Sequence, residues 1–148
     1  MEDKITFKCG ELTLSGTVHT PDGSTNLPTI IVLHGFGSNS NSANVKGPVK
    51  MLNDWGYGAF RFDMPGCGES DGEFGRVICQ EQVEATQAAL TYLQSRPEID
   101  SDRIGVLGSS FGAAVAIYAG GVDKRFACVV SSGGWGHGER KFRGQHPT

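Results

Sequence analysis

Long apolar runs are missing from this 148-residue sequence. None approaches the ~20 residues that a bilayer-spanning helix needs, so neither a transmembrane segment nor a membrane partner is expected. The first residues, Met1-Glu2-Asp3-Lys4-Ile5-Thr6, lack a basic end followed by an apolar stretch. No secretory signal is visible, and the cytoplasm is the expected location. Excess positive charge is missing as well. Lys plus Arg number 13 against 16 Asp plus Glu, a net charge of −3, which leaves no electrostatic footprint for nucleic acid. The four cysteines, Cys9, Cys67, Cys79 and Cys128, form no C-x-x-C pair and read as free thiols in a reducing compartment. There is no H-E-x-x-H, no clustered Cys and His, and no G-x-x-x-x-G-K-[ST]. No metal and no cofactor are therefore expected.

Glycine is what the chain has in excess. There are 22, about twice the usual ~7% share. Twelve fall in four clusters: Gly35 and Gly37; Gly66, Gly68, Gly72 and Gly75; Gly108 and Gly112; Gly133, Gly134, Gly136 and Gly138. Each cluster follows a short apolar run, the pattern of tight turns at strand ends. With 38% hydrophobic and 20% charged residues, the chain reads as globular. No repeat or linker divides it, so residues 1–148 are expected to form a single domain.

The N-terminal runs Ile5–Cys9 and Leu12–Val18 alternate apolar and polar residues around Gly10-Glu11, which predicts an antiparallel hairpin with one wet face. Thr29–Leu33, Gly58–Phe62, Arg103–Leu107 and Phe126–Val130 are short and mostly apolar, like buried parallel strands. Helical patterns fill the gaps. Val45, Val49 and Leu52 share a face, with Gly47-Pro48 as the expected start. Val83, Thr86, Ala89, Leu90 and Leu93 form a stripe that Pro97 ends. Phe111–Gly120 is Ala-rich, with Gly120-Gly121 as the expected stop. The order β-β-β-α-β-α-β-α-β predicts an α/β fold with a mostly parallel sheet and right-handed crossovers. Ligands bind beyond the carboxyl ends of such strands, where all four glycine clusters fall.

Three motifs carry chemistry. Gly108-Ser109-Ser110-Phe111-Gly112 is a G-x-S-x-G between a predicted strand and a predicted helix, the context of a nucleophile elbow, with Ser110 as the nucleophile. His34-Gly35-Phe36-Gly37 follows the first central strand. An acyl-transfer site needs two backbone donors for its oxyanion, and Phe111 and Phe36 are the expected pair. His34 reads as an imidazole that shapes this loop. Asp63-Met-Pro-Gly-Cys-Gly-Glu-Ser70-Asp-Gly72 reads as a structural turn beside the site, because it matches neither phosphate-binding fingerprint. A Rossmann reading also fails, since His34-Gly-Phe-Gly-Ser-Asn-Ser40 lacks the third glycine.

Together the H-G-x-G loop, the D-x-x-G-x-G-x-S turn and the G-x-S-x-G elbow, in that order, resemble the α/β-hydrolase family. Within it the Phe62–Gly72 stretch looks closest to feruloyl-esterase-like and prolyl-oligopeptidase-like hydrolases. The resemblance implies a serine hydrolase acting on a small-molecule ester or amide through an acyl-serine intermediate. It also implies a triad in the order Ser, Asp or Glu, His. Only one predicted strand follows the elbow helix before Thr148. On this reading the hydrolase core lacks its last two strands and both triad partners. His137, Glu139 and His146 are what remain, with His137 and Glu139 the candidate base and acid. Asp63 and Asp123 read as turn or cap residues. Two readings stay open: an active serine hydrolase, or a truncated or split chain that needs an Asp/His segment from elsewhere. In either, Phe126–Val130 would present a bare edge that invites self-association.

Overall fold

The computed structural model describes residues 1–145, so His146 lies outside the described residues. In chain order the elements are β1 (Glu2–Cys9), β2 (Leu12–His19), β3 (Leu27–Leu33), α1 (Ala43–Asp54), β4 (Gly58–Phe62), α2 (Cys79–Gln94), β5 (Ile99–Ser109), α3 (Phe111–Val122), β6 (Val129–Ser132) and α4 (Gly138–Gln145). The strands form one sheet in the order β1-β2-β4-β3-β5-β6. β1 and β2 pair antiparallel from Cys9↔Leu12 to Glu2↔His19, around the two-residue turn that the sequence marks. β2 runs antiparallel to β4, whereas β4, β3, β5 and β6 are mutually parallel.

Alternation along each strand splits the core. Ile31, Leu33, Phe60, Phe62, Ile104 and Val106 face α2 and α3. Val32 and Ala59 face α1, where Val45, Val49 and Leu52 cover them. Phe7, Phe60 and Phe62 meet at 5.3–5.8 Å between ring centroids, which anchors the hairpin to the parallel strands. Helices thus cover both faces, as near-continuous apolar strands require. Among the described residues no helix is long and apolar enough to cross a membrane.

Several boundaries differ from the expected ones. α1 starts at Ala43, with Val45 and Lys46 N–H donating to Ser42 O at 3.0 Å, and Pro48 lies inside it. The first-turn bonds are already closed before Pro48, so the ring removes one later donor without preventing initiation. α3 runs through Gly120-Gly121 to Val122. Gly120 serves packing, because a Cβ there would lie 2.3 Å from Val129 Cγ2. The helix stops at Asp123, which accepts Arg125 N–H at 3.1 Å and both edges of its guanidinium. Those bonds hold the Asp123 carboxyl down at about 2. The cap reading of Asp123 is therefore borne out.

β5 is longer than Arg103–Leu107 at both ends. β6 occupies Val129–Ser132 rather than Phe126–Val130, and all four of its residues are exposed. Ala127 and Cys128 already exchange bonds with Ile104 and Val106 of β5, but the regular ladder begins only at Val129. The buried-strand expectation fails there because β6 is the edge strand of the sheet.

Candidate functional site

β5 ends at Ser109 and α3 begins at Phe111, which leaves Ser110 alone at the corner with φ 54° and ψ −120°. An L-residue adopts that region only when its surroundings force it. Three constraints do so. Ser110 N–H donates to Ser132 O of β6 at 3.0 Å, and Ser110 O accepts from Ala113 and Ala114 of the new helix at 3.1 and 3.2 Å. The strand and helix also approach so closely that Cβ atoms at Gly108 and Gly112 would fall 2.1 Å from Gly112 O and 2.5 Å from His34 O. The side chain of Ser110 is left to project from the corner. Among the described residues its hydroxyl has no protein hydrogen-bond partner.

The His34–Gly37 loop lies against this corner. A Cβ at Gly35 would sit 3.7 Å from Ser110 Cβ, and the rings of Phe36 and Phe111 meet edge to face at 5.9 Å. Among the described residues neither the Phe36 nor the Phe111 amide donates to a backbone acceptor. The loop is held from behind. His34 is 1% exposed; its Nε2 accepts Met64 N–H at 3.1 Å, which makes Nδ1 the protonated nitrogen facing Gly35 O at 2.9 Å. This is the loop-shaping role expected for it. Asp63 ties the same loop to the glycine-rich turn: Oδ1 accepts Ser40 N–H at 2.7 Å and Oδ2 accepts Glu69 N–H at 3.0 Å. Ser70 closes the turn by donating to Asp63 O. That turn is structural, as expected.

Burial lowers the pKa of His34, and burial followed by the adjacent Arg61 lowers that of His19. An imidazole with a depressed folded value is protonated first in the unfolded chain. Its stabilisation is complete above the unfolded value of about 6.5 and is lost as pH falls from there toward the folded value. The unfolding free energy, and with it the denaturant midpoint, is therefore expected to be lower at pH 5.5 than at pH 7.5, with a slope below about pH 6.5 of at most about 1.4 kcal/mol per pH unit for each histidine. Equal midpoints at the two values would contradict this.

In front of Ser110 is a cavity of about 210 Å³ that Phe36, Gly133, Trp135, Lys141 and Phe142 close. Beyond it lies a larger, mostly apolar cavity of about 510 Å³ between the start of α2, the end of α3 and α4. The Gly133–Gly138 stretch leads directly into α4. His137 precedes that helix, and its Nδ1 accepts Arg140 N–H at 3.3 Å. Glu139 pairs with Arg143 at 2.6 Å in the next turn. Among the described residues no hydrogen bond joins either side chain to Ser110, or the two to each other.

Residues 25–144 match the family described as serine aminopeptidase, S33. The chain belongs to this family of α/β-hydrolases. The chain is 32% identical over 131 residues to an uncharacterized 31.7 kDa protein of Escherichia coli from the traX-finO intergenic region, a match covering 87% of this chain and 45% of that protein. It is 26% identical to the quorum-quenching protein AidA of Acinetobacter baumannii over 86% of this chain and 42% of that one. Among solved structures it superposes on hypothetical protein PA2218 of Pseudomonas aeruginosa with a TM-score of 0.84 and 28% identity, covering 91% and 43% of the two chains. On an esterase of Pyrococcus furiosus the values are 0.83, 26%, 99% and 56%. The chain thus spans less than half the length of these curated relatives.

The sequence reading missed the aromatic wall. Trp135 sits between Phe111, tilted at 6.2 Å, and Phe142, edge to face at 5.9 Å, and Lys141 Nζ lies 5.7 Å from the Trp135 ring centroid. A signal existed: Glu139 and Arg143 are spaced i,i+4 around Phe142, as on an exposed helix.

Proposed function

We propose that the hydrolase cleaves a carboxylic ester, or an amide, through an acyl-serine intermediate at Ser110. The observation that carries this is the backbone of Ser110: a serine at φ 54° costs stability, and here that cost lifts a hydroxyl beside the Gly35-Phe36 loop. Ser110 Oγ attacks the carbonyl carbon. Phe36 and Phe111 N–H donate to the oxygen as its charge develops, aided by the N-terminus of α3. The acyl C–O bond then breaks, the leaving alcohol takes the hydroxyl proton through a base, and water releases the acid.

Within this chain His137 is the imidazole that offers itself as that base. Its Nδ1 accepts Arg140 N–H, which puts the ring proton on Nε2, so the ring takes the serine proton only once that bond opens and the tautomer changes. Glu139 would be the acid, on giving up Arg143. A second reading is favoured by that same Glu139–Arg143 pair and by β6. The Val129–Ser132 edge is exposed, with Val129 at 40% and Val130 at 47%. There the acid and imidazole come from a segment or chain that adds to this edge, and Ser110 alone retains only the ~10³–10⁴-fold effect of an oxyanion hole.

A fluorophosphonate probe separates the readings. Its P–F bond breaks as the Ser110 Oγ–P bond forms, and fluoride leaves with the proton. Labelling of the folded 148-residue chain, absent in Ser110→Ala, is expected from the first reading. A folded chain that stays unlabelled discards the self-contained enzyme and leaves the second.

A further inference from the structure

The larger cavity has a chemistry of its own. Its floor is Val83 of α2, 3% exposed, and its rim carries Ile78 and Val122, at 43% and 64%. The Phe36 and Phe111 rings form the wall nearest Ser110, and Trp135 and Phe142 separate this space from the smaller cavity at the hydroxyl. Among the described residues no Asp, Glu, Lys or Arg lines it. The polar groups that do are already engaged or neutral. Tyr118 OH donates to Gly136 O at 2.9 Å, and the Gln80 amide donates to Glu84 at 3.1 Å. Burial pushes the Cys79 thiol up, away from its thiolate.

We infer that this cavity receives the acyl chain of the substrate, and that this chain is uncharged and apolar, an alkyl or aryl group rather than an amino-acid residue with a free α-ammonium. The inference rests on Ser110 as the nucleophile and adds the substrate class to that reading. Two physical arguments carry it. An ammonium entering the cavity would exchange part of its hydration for apolar walls and meet no carboxylate among the described lining residues, which disfavours an unpaired charge. Glu139, one residue from the lining Gly138, pairs with Arg143 and is not among the residues that line this cavity. The placement also follows from the donors. With the carbonyl oxygen between the Phe36 and Phe111 amides, the substituent that stays on Ser110 runs along the Phe36 and Phe111 rings into the larger space. The smaller cavity, bounded by Gly133 and Lys141, is left for the departing group and for water. A volume of about 510 Å³ lies in the range of small-molecule sites.

The experiment compares methyl and hexyl fluorophosphonates on the full chain. Each methylene buried is worth about fourfold, so labelling by the hexyl probe is expected to be at least about tenfold faster. The ratio should drop about tenfold in Val122→Glu, which places a carboxylate on the exposed rim and touches no core packing. A second arm does not require reaction at Ser110. In a Trp55→Phe background Trp135 is the remaining tryptophan, and its emission is expected to shift with the neutral ketone octan-2-one but not with alaninamide. Equal methyl and hexyl rates alongside clear labelling overturn this inference and leave the nucleophile standing. No labelling by any probe discards the self-contained enzyme, and the ketone titration then decides the cavity: a silent Trp135 overturns the apolar assignment.

Discussion

Ser110→Gly is expected to be more stable than the wild-type chain and chemically inert. The φ of 54° at Ser110 costs a non-glycine residue roughly 1–3 kcal/mol. Glycine takes that region without penalty but returns entropy to the unfolded chain, roughly 0.5–1 kcal/mol. The net expectation is a gain of about 1 kcal/mol, or roughly 2–4 °C in Tm for a domain of this size. No hydrogen bond is lost, since the hydroxyl has no protein partner among the described residues. Reaction with fluorophosphonate, or turnover of an ester, should fall by at least about a thousandfold. Ser110→Ala supplies the control: it is equally inert but keeps the backbone strain, so its Tm should stay near wild type. A glycine variant that melts below wild type would show that the corner is not strained, and the signature that carries the functional assignment would go with it.

The largest loss of stability is expected from Gly108→Ala. The added Cβ would sit 2.1 Å from Gly112 O, 2.3 Å from Gly112 C and 2.7 Å from Ala113 N. All three are backbone atoms of the first turn of α3, so no side chain can rotate away. Side-chain overpacking costs typically 1–3 kcal/mol; displacement of a helix start from its strand should reach about 3 kcal/mol or more, read as a lowered urea midpoint. Gly121→Ala is the contrast. It lies in α3 with nothing within 4 Å of its added Cβ, and should stabilise by roughly 0.5–1 kcal/mol through helix propensity alone. Were the two substitutions to behave alike, the close approach of β5 and α3 would be refuted.

Edges of elements proved harder to read than their centres. The stripe Val83, Thr86, Ala89, Leu90 and Leu93 is fully buried as its spacing demands, because a 3.6-residue period leaves no other face for it. Pro48 misplaced the start of α1, since a proline tolerated in a first turn is also tolerated slightly later. Gly120-Gly121 misplaced the end of α3, because a glycine that relieves a clash with Val129 looks in sequence like one that ends a helix.

By itself the sequence determined the α/β order, the hairpin, the corner at Ser110 and the loop beside it. These depend on local periodicity and on glycines whose neighbours lie within a few residues or at the end of an adjacent strand. Only the tertiary structure decided what fills the space in front of the hydroxyl. Phe36, Phe111, Trp135 and Phe142 come from three separate segments, and their ring contacts follow from how Trp135 is placed between the start of α3 and α4. It also decided that Glu139 answers Arg143 and that β6 is an exposed edge, because charge pairing and strand burial depend on neighbours that no local pattern specifies.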